Sequence, residues 1–172
     1  MSEMVVLVDE NDREIGTEEK MEAHEEGRLH RAFSIFIFNS KGEMLLQRRA
    51  FGKYHSGGLW TNACCSHPKP NESVERAAHR RLREELGFDC KLTERFCFIY
   101  KARLDHGLIE HEFDHVLTGN HDGEIVPNGD EVSEILWITI DDLKSEMRRH
   151  PNDFTEWFKT GISKFFEDGN TH

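Results

Sequence analysis

Glu72-Ser73-Val74-Glu75-Arg76-Ala77-Ala78-His79-Arg80-Arg81-Leu82-Arg83-Glu84-Glu85-Leu86-Gly87 reads as a helix with an abrupt end. Val74, Ala77, Ala78, Leu82 and Glu85 recur at the spacing of one helical face, giving an inward stripe and a charged outer surface. The small alanines allow close approach to a sheet. Asn71 is the expected N-cap of a helix from about Glu72 to Leu86, and Gly87 supplies the left-handed stop. Arg81 stands four residues before Glu85 and shares its face.

Just upstream lies Leu59-Trp60-Thr61-Asn62-Ala63-Cys64-Cys65-Ser66-His67-Pro68, where Pro68 holds His67 out of helical geometry. In an extended chain Cys65 and His67 face the same side, and Cys64 faces inward. That pair suits a nucleophile with its base, or a proton donor beside a metal ligand. The plainer reading is a buried thiol near a loop histidine.

Working outward, Met4 to Val8 is a strand closed by the turn Asp9 to Asp12. Thr17 is the expected N-cap of a helix from Glu18 to Glu26, stopped by Gly27, with His24 and His30 bracketing its end. Ala32 to Phe38 is nearly continuously apolar, as a strand covered on both faces should be. Asn39 to Gly42 is expected to turn it into Met44 to Arg49 as a hairpin, ending in the basic residues Arg48, Arg49 and Lys53. Downstream, Phe96 to Ala102 and Phe113 to Thr118 read as strands joined through Asp105-His106-Gly107. Alternation in Glu110-His111-Glu112-Phe113-Asp114 sets Glu110 and Glu112 on one face. A strand over Ile135 to Ile140, a short helix over Asp141 to His150 and an amphipathic helix over Asp153 to Glu167 follow. No linker-like shift in composition interrupts them, which implies one α/β domain over residues 1–172 with a mixed central sheet flanked by helices.

The net charge of −11 disfavours nucleic acid and anionic membrane surfaces as partners. The cysteines at 64, 65, 90 and 97 have neither zinc-finger spacing nor disulfide-scaffold density, and Cys90 and Cys97 read as buried and inert. No apolar run approaches the ~18 residues of a membrane span. A cytoplasmic, reduced protein is the expectation. His24, His30, His67, Glu110 and Glu112 together would make a mixed nitrogen and oxygen shell for Mn²⁺, Zn²⁺ or Mg²⁺.

The helix resembles a Nudix box, whose pattern Glu72, Arg80, Leu82, Glu84, Glu85 and Gly87 match. Ser66 stands where that pattern has its first glycine, and Arg81 where it has an acid, so a hydrolytic metal cluster is hard to build here. Trp60 to Pro68, Arg28-Leu29-His30-Arg31-Ala32-Phe33-Ser34 and Glu110-His111-Glu112 jointly resemble type I isopentenyl-diphosphate isomerases, members of the Nudix superfamily, over nearly the whole chain. The resemblance implies a Nudix-like α/β/α sandwich that interconverts isopentenyl and dimethylallyl diphosphates by protonation and deprotonation through a tertiary carbocation. It implies Cys65 and Glu112 as the acid–base pair, Tyr100 as the glutamate's partner, and Trp157 as the ring facing the cation. By the same resemblance His24, His30, His67, Glu110 and Glu112 hold one metal, and Glu85 a Mg²⁺ that bridges to the diphosphate. Lys20, Arg49, Lys53 and Arg81 would bind that diphosphate. A monomer or weak homodimer acting on a small isoprenyl diphosphate is implied. His24 and His30 have five residues between them, one fewer than in bacterial members, so whether His24 reaches the cluster is open. The alternative is a Nudix hydrolase of a nucleoside diphosphate derivative, motivated by Glu72, Arg80, Glu84 and Glu85; a catalytically silent metal- or nucleotide-binding module is a third reading.

Overall fold

The computed structural model describes residues 3–170. Its centre is strand β3, His30–Phe38, apolar on both faces because both are covered. On one edge β3 pairs antiparallel with β1, Met4–Val8, at Leu7↔His30, and with β6, Cys64–Ser66. On the other it pairs parallel with β8, Ile109–Asn120, from His30↔Glu112 to Phe38↔Asn120. β1 continues outward to β2, Glu14–Glu19, and β8 to β7, Thr93–Arg103, both antiparallel.

The expected hairpin is barely one. β3 and β4, Met44–Arg49, share the single register pair Phe38↔Met44. Beyond it β4 turns away to lie between β5, Trp60–Asn62, and β9, Val132–Ile138. The chain returns by the step from β5 to β6, so the cysteine stretch crosses from one lobe of the sheet to the other at Ala63.

Helices cover both faces. Helix α1, Lys20–Glu26, leads into β3. It is capped by Glu19, whose side chain accepts from the Glu22 N–H, and not by Thr17, which lies in β2. Helix α2, Val74–Leu86, begins at Ser73, whose hydroxyl accepts from the Arg76 N–H; Asn71, expected as the cap, sits before it in the left-handed region (φ 67°). Gly87 ends α2 at φ 69°, where an added Cβ would come within 2.9 Å of the Val126 carbonyl oxygen. Ala77, Ala78, Leu82 and Leu86 pack on Phe33, Ile35, Ile37 and Leu117. Across the sheet, Leu143 of α3, Ile140–Arg149, and Trp157, Phe158 and Ile162 of α4, Glu156–Asn170, pack on Phe36, Phe98, Tyr100 and Val116. The result is the expected α/β/α arrangement. Thr139 caps α3, so the last two residues assigned to the preceding strand belong to the cap and the helix. The C-terminal helix starts later than expected, because Pro151–Asp153 form a 3-10 turn and Phe154 is held extended in a bridge to Trp60. Contrary to expectation, Cys97 on β7 is exposed, and Cys90, before β7, is only half-buried at the edge of the α2 core. Among the described residues no helix is long and apolar enough to cross a membrane.

Candidate active site

Backbone carbonyls aim the histidines. His24 Nδ1 lies 2.7 Å from the Lys20 carbonyl oxygen and His30 Nδ1 2.9 Å from that of Arg28, so each Nδ1 carries the proton and donates it. Each Nε2 then turns a lone pair inward. His24 Nε2 is 3.1 Å from Glu110 Oε1, and His30 Nε2 is 3.6 Å from both Glu110 Oε1 and Glu112 Oε2. His67 Nε2 is 2.9 Å from Glu112 Oε2. Glu110 and Glu112 share one face of β8, and the parallel pair His30↔Glu112 delivers them to the histidines. His24 therefore reaches the cluster despite the shortened spacing.

A lone pair facing a carboxylate oxygen is not a hydrogen bond, and His24 Nε2, His30 Nε2 and Glu110 Oε1 are buried without hydrogen-bond partners. Each such orphan costs about 1–3 kcal/mol unless something binds it. The electrostatics of the buried groups carry the same conflict. Burial, then the charge of Glu110, pushes the Glu112 carboxyl up to about 8. Burial and the neighbouring His30 hold His67 well below the usual imidazole range. A divalent cation would relieve the raised Glu112 and suits the neutral His67, and donor atoms of His24, His30, His67 and Glu110 lie within 4.8 Å of one another.

Beside the cluster is a small cavity lined by Cys65, Glu112, Trp157, Arg49, Tyr54, His55, Ser66, His67 and Glu110. Cys65 Sγ accepts from the Trp157 indole N–H at 3.0 Å and donates to Asn62 Oδ1 at 2.9 Å. Burial, then the charge of Asp114, pushes this thiol up to about 12, which keeps its proton on sulfur. Cys64 points the other way and donates to Glu85 Oε2 at 2.9 Å. Tyr100 faces Glu112 across the β7–β8 ladder, its buried hydroxyl unpartnered, and is absent from the cavity lining.

The cavity shares Arg49, Tyr54, Cys65, Ser66 and His67 with a polar one that Lys20, Lys53, Arg81 and Glu85 also line, and all four of these were singled out from the sequence. Glu3 and Glu131 complete it: Lys20 Nζ is 2.7 Å from Glu3, and Lys53 Nζ 2.5 Å from Glu131. Arg81 reaches Glu84 at 2.7 Å and Glu85 at 3.4 Å. Arg49 lies between the cavities, with its Nε unpartnered and its guanidinium 5.1 Å from the Trp157 ring centroid.

Residues 28–158 match the NUDIX domain family. An isopentenyl-diphosphate Delta-isomerase of Aromatoleum aromaticum is 54% identical over 95% of this chain and 87% of its own length. Those of Photorhabdus laumondii (52%; 95% and 92%) and Pectobacterium atrosepticum (54%; 93% and 89%) agree. The chain belongs to the isopentenyl-diphosphate Delta-isomerase family, within the NUDIX-domain proteins. Solved structures carry the fold alone: a Deinococcus radiodurans protein superposes with TM-score 0.72 at 21% identity over 86% of this chain and 90% of its own, and a MutT protein of Methanosarcina mazei with 0.67 at 18% (82% and 95%).

In this isomerase-family chain the sequence reading missed four residues of the two cavities: Glu3, Tyr54, His55 and Glu131. His55 Nε2 sits 3.2 Å from Glu110 Oε2, but among eleven histidines nothing marked it out. It also missed Asp114, fully buried and accepting from Ser34 Oγ at 2.8 Å. The alternation that found Glu110 and Glu112 extends to Asp114 and could have found it.

Proposed function

We propose that this chain interconverts isopentenyl diphosphate and dimethylallyl diphosphate. The observation that carries the reading is that Cys65 and Glu112 face one small cavity walled by the Trp157 ring and joined to a basic pocket. Shifting a double bond adds a proton at one carbon and removes another from a neighbour, through a cation that water would capture. Cys65, with its proton held on sulfur, and Glu112, which lines the same cavity, hold and move those protons. Tyr100 sits across the ladder from Glu112, and its free hydroxyl is the group we assign as that carboxyl's partner once metal and substrate are bound. The face of Trp157 contributes about 0.5–2 kcal/mol toward the cation, so positioning and proton transfer carry most of the rate.

Lys20, Arg49, Lys53 and Arg81 bind the diphosphate, which must displace Glu3 and Glu131 from their partners. His24, His30, His67, Glu110 and Glu112 would hold Mn²⁺, Zn²⁺ or Mg²⁺, and Glu85 a Mg²⁺ shared with the diphosphate. Bound there, divalent ions supply fixed positive charge that keeps the carboxylates ionised and draws in the diphosphate of a net-acidic chain. We take residues 1–172 as one functional unit working in the cytoplasm as a monomer or weak homodimer, a setting supported by four free thiols.

The Nudix hydrolase alternative is weakened by Arg81, whose guanidinium spans Glu84 and Glu85 where that chemistry needs an acid. Incubating isopentenyl diphosphate with the protein in D₂O and following it by NMR tests the reading. Deuterium uptake with no phosphate released is expected. Release of phosphate or pyrophosphate would restore the hydrolase, and ligand-dependent thermal stabilisation without turnover would leave a silent binding module.

A further inference from the structure

On the face of β8 opposite Glu110 and Glu112, a second cluster gathers at the β7–β8 ladder. Glu94, Cys97 and His115 each offer a donor atom, all within 4.8 Å of one another. Cys97 and His115 are direct cross-strand partners, with Sγ 3.3 Å from Nδ1. Glu94 is three residues from Cys97, and regular alternation would turn it to the other face. A bulge between Glu94 and Phe96 absorbs one residue, so Glu94 pairs with Leu117 and joins the His115 face. There its Oε1 meets His115 Nδ1 in a close contact. Re-aiming a side chain is a common use of a bulge.

The outer side is equally ordered. His115 Nε2 lies 2.9 Å from Asp12 Oδ2. Arg31 grips Asp12 in turn, donating to its Oδ1 at 2.8 Å and to its carbonyl oxygen at 2.7 Å. One ring nitrogen on an outer carboxylate, the other toward a thiol and a second carboxylate, is how metal-bound histidines are oriented. The charges match too. Arg31 offsets Asp12, and Glu94 with a Cys97 thiolate leaves two negative charges for a divalent ion. Hydrogen bonding alone accounts for Glu94–His115–Asp12, while the Cys97 sulfur competes for the same Nδ1, which has one proton to share. Sulfur, nitrogen and oxygen donors together suit Zn²⁺ better than Mg²⁺.

We propose that Glu94, Cys97 and His115 form a zinc-binding site on the sheet face away from the isomerase cavity, with Asp12 as the positioning residue for His115. Water completes the fourth position. Binding replaces the Cys97 S–H bond with S–Zn, and the proton leaves to solvent.

The test uses the full chain in excess Mg²⁺, titrated with Co²⁺ as a spectroscopic probe and then with Zn²⁺. Wild type is expected to show a thiolate-to-cobalt charge-transfer band that Zn²⁺ abolishes, and Cys97→Ser to lack it. After dialysis wild type should retain one equivalent more zinc than Cys97→Ser. Asp12→Asn should keep the band while binding about 10–100-fold more weakly. A band that survives in Cys97→Ser, or equal zinc content in the two proteins, overturns the proposal. Should Cys97→Ser fail to fold, Glu94→Gln provides the same reading, with undiminished zinc affinity as the contrary result. Deuterium uptake by isopentenyl diphosphate is followed on the same samples and should be equal in wild type and Cys97→Ser. Turnover without the zinc signal sinks this inference alone, and a zinc signal without turnover sinks only the isomerase reading.

Discussion

Cys65 is held by the Trp157 indole N–H on one side and Asn62 on the other, so the protein's own side chains place its sulfur. Replacing it with serine keeps a donor of similar shape but removes a polarizable acid. Deuterium uptake is expected to fall about 10²–10⁴-fold in Cys65→Ser, the usual worth of a positioned acid or base, with metal content unchanged. Near-normal turnover would remove Cys65 from the reaction. Tyr100 separates stability from activity. Its buried hydroxyl has no partner, so Tyr100→Phe should fold at least as stably, by chemical denaturation, while turnover drops. A variant that loses stability and keeps its rate would make Tyr100 a packing residue. Chain alternation made Cys65, His67, Glu110 and Glu112 legible, because two-residue spacing fixes a shared face. Tyr54, His55, Glu3 and Glu131 were not legible, since they reach the site from two loops and the residue before β1, with no periodicity.

At the scale of elements, α2 was legible as an apolar stripe, but not at its start. Ser73, not Asn71, makes the capping bond, so Ser73→Ala should cost about 1 kcal/mol. Asn71→Gly, which removes no capping bond, should cost at most a few tenths. Equal losses on thermal melting would put the cap back at Asn71. Leu82 is fully buried against the sheet, and Leu82→Ala should cost about 2–5 kcal/mol. The helix is also tied down by Arg80, whose Nε and Nη2 bond both oxygens of Glu72 at 2.8 and 2.9 Å. That pairing holds the Glu72 carboxyl below its ordinary range. A depressed carboxylate stabilises the fold above its unfolded pKa, near 4.3. The contribution fades as pH falls through the lower folded value. Wild type should therefore exceed Glu72→Gln in stability at pH 7 and converge with it in acid. A gap that widens in acid would mean that the pair is not the cause.

At the scale of the molecule, the proposed metal cluster is a long-range construction. His24 comes from α1, His30 from β3, His67 from just past β6, and Glu110 and Glu112 from β8. What brings them together is the parallel β3–β8 pairing, and nothing in either strand alone specifies it; local pattern shows which side of each segment is inward, not which segments meet. The same geometry would make a bound cation a staple across separate parts of the fold. Without it, buried lone pairs face buried carboxylate oxygens, and Glu112 is pushed toward its neutral form. A ligand that binds only the folded state adds about 2.7 kcal/mol at a hundredfold excess over Kd. For a chain of this size that is on the order of 5–10 °C in Tm. Chelation should lower the melting temperature by that amount and added Mn²⁺ should restore it. His67→Gln keeps a polar side chain of similar reach but lacks the imidazole, so its melting curve should respond far less to chelator and to Mn²⁺. Identical curves for chelated and Mn²⁺-loaded wild type would mean that the five side chains are held by packing alone, and that the buried orphan atoms are tolerated without a cation.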